Sequence, residues 1–127
     1  MSIDDYIKEW ETKAEVDYQV IIRLSEGTLI AHSAICFHCQ QLVEKYLKLF
    51  LILNGKIPSR THNIELLLSE CAETDKVFDE IDPKNLSDFG VNIRYPGDFY
   101  NPSNSETLEY ITIAQNVRNL IREKLSL

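Results

Sequence analysis

The chain has 127 residues, 44% of them hydrophobic and 26% charged, which suits one folded domain spanning residues 1–127. Its formal net charge of −7 excludes a broad basic surface for nucleic-acid backbones, although a small basic pocket remains compatible with it. Four glycines and four prolines are few for an all-β protein, whose many turns require these residues.

The first predicted helix covers residues 3–26. Its apolar residues recur at steps of three or four and therefore share one stripe of an α-helix: Ile3, Ile7, Trp10, Ala14, Tyr18, Ile21 and Leu24. Gly27 is a suitable left-handed terminator, and Thr28 is then expected to cap the next helix.

The second predicted helix covers residues 29–53 and ends at Asn54-Gly55. Its apolar residues occupy a wide arc, which predicts a central position in a bundle. The opposite side of this helix is predicted to be polar and carries His38, Gln41, Glu44, Lys45 and Lys48.

Two further helices and a short helix face between them are predicted after a loop that contains Pro58. Thr61 or Asn63 can cap a third helix running from Ile64 through Cys71. The pattern is weaker over residues 73–100, where residues 86–93 can form a short helix face. Ser103 and Glu106 match a capping box, which predicts a final helix from about Asn104. No segment alternates with period two, so the prediction is an all-α fold.

The cysteines are predicted to be reduced thiols rather than metal ligands. Cys36 and Cys39 fall on the apolar face of the second helix, and Cys71 and His62 are isolated, so no second ligand pair exists. We therefore expect neither a metal ion nor another cofactor. An odd number of cysteines without a secretory signal indicates the cytoplasm. The longest apolar run, residues 49–53, is too short to span a bilayer, so no membrane association is expected.

Three polar residues of the first two helices are candidates for a site. Asp17 lies inside the apolar stripe, where a carboxylate needs a partner, and a structural pairing with Arg, Tyr or a helix end competes with a catalytic role. His38 and Lys45 lie two helical turns apart on a donor-rich strip. This strip can bind a phosphate or a partner chain, or it can be a solvated surface.

Arg94, Tyr95 and Tyr100 form the second group of candidates. They flank and include the turn sequence Tyr95-Pro96-Gly97-Asp98, and a guanidinium beside tyrosine hydroxyls can bind a phosphate bidentately. Arg94 can equally hold this loop against Asp17 or against the final helix, and spacing favours neither interpretation.

Three segments, in this order and spacing, resemble the HEPN family. Residues 34–48 contain an aromatic-His pair, two Gln and an apolar-Glu-Lys step, as in the family's signature helix. Residues 55–64 resemble the loop that follows this helix, and Arg94-Tyr95-Pro96 resembles an Arg-Tyr-Pro element near the end of the domain. Trp10, Ala14 and Asp17 also suit the first helix of the family.

The resemblance implies an all-α, up-and-down four-helix bundle with an extra short helix, similar to the substrate-binding helical domain of kanamycin nucleotidyltransferase. It also implies a homodimer that binds nucleotide or RNA and partners a minimal nucleotidyltransferase, in some members as a toxin with its antitoxin. Arg94, Tyr95, Tyr100, His38, Lys45 and Asp17 are the expected substrate-binding residues.

One departure from the family pattern bears on catalysis. HEPN ribonucleases carry an Arg followed four to six residues later by a His, whereas this chain has no His after His62. Tyr100 stands near the expected place, but a phenol with a pKa near 10 is a poor general base at neutral pH. We therefore expect a non-catalytic, accessory module. The alternative is a metal-independent endoribonuclease toxin that uses Arg94 with a substitute for the His.

Overall fold

The structure is a computed structural model that describes residues 2–28, 31–90 and 101–127. These residues form four α-helices, named α1 (Ile3–Leu24), α2 (His32–Leu53), α3 (Ile64–Ala72) and α4 (Asn104–Leu125). Two 3-10 helices, Lys76–Glu80 and Leu86–Gly90, connect α3 to the segment before α4. No strand occurs among the described residues, which confirms the all-α prediction. Within the same residues, no helix has both the length and the apolar character that crossing a membrane requires.

The ends of the helices are set by local hydrogen bonds that the sequence had largely indicated. Ser2 caps α1, because its Oγ accepts a hydrogen bond from the backbone N–H of Asp5 at 3.1 Å. Gly27 adopts a φ of +72° just beyond α1, as predicted. Asn63 caps α3, and Ser103 with Glu106 forms the predicted capping box of α4.

The prediction that Thr28 caps α2 was wrong. The helix begins at His32 instead, and its N-cap is Ala31, which makes no side-chain capping bond. A capping side chain must directly precede the first helical residue to reach the free N–H groups of the first turn, and Thr28 is four positions before His32.

Helix α2 is the centre of the bundle, as its wide apolar arc predicted. It contacts α1, α3, α4 and the second 3-10 helix. Two residues of its predicted polar side, Glu44 and Lys48, are nevertheless buried, with only 6% and 8% of their surfaces exposed. The reason is tertiary, because other elements cover the side of α2 that would face water in an isolated helix.

Side-chain pairs define the directions of the long helices. Asp17 bonds to His38, while Trp10 and Glu44 line the same groove, so α1 and α2 are antiparallel. Glu15 and Glu11 bond to Arg118 and Arg122 respectively, so α4 is antiparallel to α1 and runs in the same direction as α2. The antiparallel packing of α1 and α2 agrees with the up-and-down bundle that the resemblance implies.

A polar cluster joins these three helices on one side of the core. Arg118 donates two hydrogen bonds to Glu15, from Nε at 2.8 Å and from Nη2 at 2.7 Å. Tyr46 of α2 donates its hydroxyl to Glu15 at 2.6 Å and accepts a bond from Arg122 at 2.9 Å. The guanidinium of Arg118 also lies 3.9 Å from the centre of the Tyr18 ring. We call Glu15, Tyr46, Arg118 and Arg122 the clamp, since they tie α1, α2 and α4 together.

Candidate functional site

Asp17, His38 and Lys45 meet at the contact between α1 and α2. The Asp17 side chain is buried, with 5% of the residue exposed. Its Oδ1 bonds to Nδ1 of His38 at 2.8 Å, and its Oδ2 accepts a bond from Nζ of Lys45 at 2.5 Å. Burial of this charge is therefore compensated on both oxygens. Among the described residues, its partners are a His and a Lys of the polar strip, whereas the sequence suggested an Arg, a Tyr or a helix end.

The bond to Asp17 orients the ring of His38. A carboxylate oxygen can only accept, so Nδ1 carries a proton, and in the neutral ring Nε2 is then an acceptor. Among the described residues, Nε2 has no hydrogen-bond partner, and 27% of the side chain is exposed. His38 can therefore accept a hydrogen bond from a donor at the surface.

A second polar group, on a neighbouring face of α2, is centred on Glu44. Its Oε1 bonds to Nδ1 of His62 at 2.8 Å and accepts a bond from Nε2 of Gln40 at 3.2 Å. Its Oε2 accepts a bond from Lys48 at 3.1 Å. Both buried carboxylates of this part of the molecule, Asp17 and Glu44, thus have both oxygens bonded.

Gln40 and Glu44 were missed as members of a site by sequence analysis. Gln40 is fully buried, donates to the backbone carbonyl of His62 at 2.9 Å, and accepts from the side chain of Gln41 at 2.8 Å. Their positions in the sequence could have indicated this role. Gln40 follows Cys39 inside the apolar arc of α2, and Glu44 lies one turn further along the helix. A polar residue in that position predicts a buried hydrogen-bond partner.

A groove lies beside Asp17, between the first half of α1 and α2. Its volume is about 310 Å³, and its described lining residues are Tyr6, Glu9, Trp10, Lys13, Glu44 and Lys45. Lys45 belongs both to this groove and to the Asp17 group, so the two are continuous. We call this surface, from the groove to His38, the α1–α2 seam.

The other three candidates, Arg94, Tyr95 and Tyr100, lie outside the described residues. The residue that precedes their segment, Gly90, is buried against the amide of Gln40. Whether Arg94 binds a ligand or holds its loop against Asp17 or the final helix thus stays as the sequence left it, while both Asp17 oxygens are already bonded to His38 and Lys45.

The cysteines are buried thiols, as predicted. All three are inaccessible to solvent, and burial raises the pKa of Cys36 to about 11 and that of Cys71 to about 12. Burial also raises the pKa of Cys39 well above its ordinary range. Within the described ranges, no group of three or more His, Cys, Asp or Glu side chains is arranged to hold a metal ion.

Comparison with known proteins assigns a family. The model of the HEPN domain matches residues 7–124, which is nearly the whole chain. Searches of curated proteins and of solved structures found no match. The chain therefore belongs to the HEPN family, and this membership supports a nucleotide-binding or RNase-type domain.

Proposed function

We propose that this chain is a non-catalytic, dimeric module that binds a phosphate-bearing ligand, a nucleotide or RNA, and serves as an accessory to a minimal nucleotidyltransferase. One observation carries the ligand-binding part. The buried carboxylate of Asp17 holds His38 and Lys45 in place at the partly exposed α1–α2 seam.

This seam presents N–H donors to an anion, although the chain as a whole is acidic. The carboxylates of Asp17 and Glu44 are buried and bonded on both oxygens, so they present little acceptor surface. The ammonium of Lys45 carries three N–H groups and, among the described residues, donates one of them to Asp17. Its remaining donors, with 23% of its side chain exposed, are available to a phosphate oxygen.

Arg94, Tyr95 and Tyr100 are proposed as additional ligand-binding residues. Their support is the resemblance to the Arg-Tyr-Pro element of the family and the bidentate geometry of a guanidinium, which suits phosphate oxygens. The accessory role follows from the absence of a His after His62, since half of the family's catalytic pair is missing.

The proposed partners also rest on family membership. A homodimer is supported further by Phe37, a partly exposed aromatic residue on α2 whose ring stands edge-on to that of His38 at 5.2 Å. We also propose that the partner is a minimal nucleotidyltransferase, that the two form a toxin–antitoxin pair, and that the protein is located in the cytoplasm. Sedimentation at micromolar concentration tests the dimer, and a species of only 14.7 kDa would contradict it.

Ligand binding is tested by calorimetry on the full chain with AMP, ATP and a short single-stranded RNA. Lys45→Gln and Arg94→Lys should each weaken binding at least about tenfold. The first removes a charged donor to phosphate, and the second keeps the charge but loses the bidentate fork of the guanidinium. Lys76→Gln, which neutralises an exposed lysine on the first 3-10 helix, is the matched control and should bind like the wild type. Absence of binding by all three ligands would refute the proposal.

The second candidate function is a metal-independent endoribonuclease, and the orientation of His38 favours it. A His held by a buried carboxylate through Nδ1, whose Nε2 has no hydrogen-bond partner among the described residues, can act as a general base. Incubation of RNA with the protein in EDTA distinguishes the two functions. Cleavage that falls at least about a hundredfold in His38→Gln would establish the nuclease and overturn the accessory role. Intact RNA, with ligand binding retained, supports the accessory module.

A further inference from the structure

The groove of the α1–α2 seam combines two features that suit a nucleobase and a phosphate. Trp10 and Tyr6 form an aromatic wall, with ring centroids 6.3 Å apart and ring planes at 88°. Two lysines, Lys13 and Lys45, line the same groove. Trp10 is only partly buried although it belongs to the apolar stripe of α1, so core packing leaves part of it at the groove.

We infer that this groove binds the nucleobase end of a mononucleotide unit, with the base against Trp10 and its phosphate between Lys13 and Lys45. This inference rests on the proposed ligand class and adds the place and the orientation of the ligand. The volume of about 310 Å³ is at the small end of ligand pockets, which suits one nucleotide rather than a long strand.

The lining of the groove carries two lysines and two glutamates, so its charges balance, and an anion would be held by the N–H donors of the lysines. Lys13 pairs with Glu9 at 3.1 Å, but both side chains are exposed, by 64% and 45%, and such pairs contribute little. Lys13 can therefore turn toward a phosphate at small cost. Glu44, the other acid of the lining, is 6% exposed and bonded through both oxygens. A cationic ligand would have to displace these bonds to reach Glu44, whereas it can reach the exposed Glu9, so choline serves as the cationic control.

Base stacking on an indole is strong enough to be measured separately from phosphate binding. Each base stacked on an aromatic side chain contributes roughly fivefold to a hundredfold in affinity. AMP should therefore bind at least about fivefold more tightly than ribose 5-phosphate, which lacks the base. It should also bind more tightly than adenosine, which lacks the phosphate.

The test uses intrinsic fluorescence, since Trp10 is the single tryptophan of the chain. Saturable quenching by AMP, with much weaker effects of ribose 5-phosphate, adenosine and choline, is the expected result. Lys13→Gln should weaken AMP binding several-fold, whereas Lys8→Gln, which changes an exposed lysine of α1 outside the groove lining, should not. Trp10→Leu should weaken AMP binding measured by calorimetry at least about fivefold, after circular dichroism has shown that it folds.

The outcomes separate this inference from the proposed function. One outcome would overturn the groove assignment and leave the proposed function intact. In it, AMP binds by calorimetry without quenching the Trp10 fluorescence, and Lys13→Gln and Lys8→Gln have the same affinity for AMP. Ribose 5-phosphate binding as tightly as AMP would overturn the stacking, and quenching by choline instead of AMP would make the groove a cation site. No binding of AMP or RNA by any method would overturn both.

Discussion

Gly90 packs so closely against Gln40 that a Cβ placed on it would lie 2.7 Å from Nε2 of Gln40 and 2.8 Å from its Cδ. The Gln40 amide cannot easily move aside, because Nε2 donates to His62 and Glu44, and Oε1 accepts from Gln41. A glycine at this position therefore allows the second 3-10 helix to pack directly against the buried amide of Gln40 on α2.

Gly90→Ala should destabilise the protein by about 1–3 kcal/mol, since overpacking at a rigid site forces bonded groups apart. Urea denaturation measures the loss as a lower midpoint with an unchanged slope. The matched test is Gly90→Ala combined with Gln40→Ala, which removes the clashing amide. If the Gly90→Ala change costs as much in that background as alone, the clash with Gln40 is not its cause.

Breaking the Asp17–Lys45 pair should cost more than replacing both members. Lys45→Met leaves one oxygen of a buried carboxylate without a donor and should destabilise the protein by about 2–4 kcal/mol. The double variant Asp17→Leu with Lys45→Met leaves no such charge and should be more stable than Lys45→Met alone. Lys13→Met, which breaks an exposed pair, should change stability by less than about 0.5 kcal/mol and serves as the control. Equal losses for Lys45→Met and Lys13→Met would contradict the interpretation.

The clamp predicts loss of stability in acid. Burial alone would raise the pKa of Glu15, but hydrogen bonds from Arg118 and Tyr46 and the charges of Arg118 and Arg122 hold that pKa below its ordinary value of 4.5. A carboxylate with a depressed pKa in the folded state stabilises the fold above its unfolded pKa. This stabilisation is lost as the pH falls through the folded pKa.

Urea midpoints of the wild type and Glu15→Gln should therefore differ most at pH 6–7 and converge as the pH falls from about 4.5 toward 3. Asp75, whose pKa is lowered chiefly by its bond to Lys124, adds acid sensitivity that both proteins share. Glu26→Gln, a change at an exposed glutamate, should follow the wild-type curve. A constant difference between Glu15→Gln and the wild type across this range would show that the Glu15 pKa is not depressed.

The three thiols should react slowly in the folded protein. A rise in the pKa of Cys36 from 9.0 to about 11 reduces its thiolate fraction roughly a hundredfold, and burial also blocks access. A disulfide reagent at pH 8 should thus label the native chain at least about a hundredfold more slowly than the chain in urea, where all three cysteines react. Rapid labelling of one thiol under native conditions would place that cysteine at the surface.

The sequence by itself determined the helices and most of their ends. Hydrophobic periodicity located α1, α2 and α4, and Asn63 and the Ser103–Glu106 box were recognisable because capping bonds join residues two or three positions apart. Asp17 was also identifiable as a residue that needs a partner, since a carboxylate within an apolar stripe faces the core. Thr28 shows the limit of such reasoning, because several nearby residues could begin α2 and packing selected His32 as the first.

Only the tertiary structure decided which polar groups meet. Asp17 and His38 are 21 positions apart, Asp17 and Lys45 are 28 apart, and Glu15 and Arg118 are 103 apart. Helical periodicity says which face carries a side chain, but not which face of another helix covers it. For this reason Glu44 and Lys48 were predicted to lie on the polar side of α2, whereas the elements packed around α2 bury them. The α1–α2 seam forms because antiparallel packing brings Asp17 of α1 into contact with His38 and Lys45 of α2.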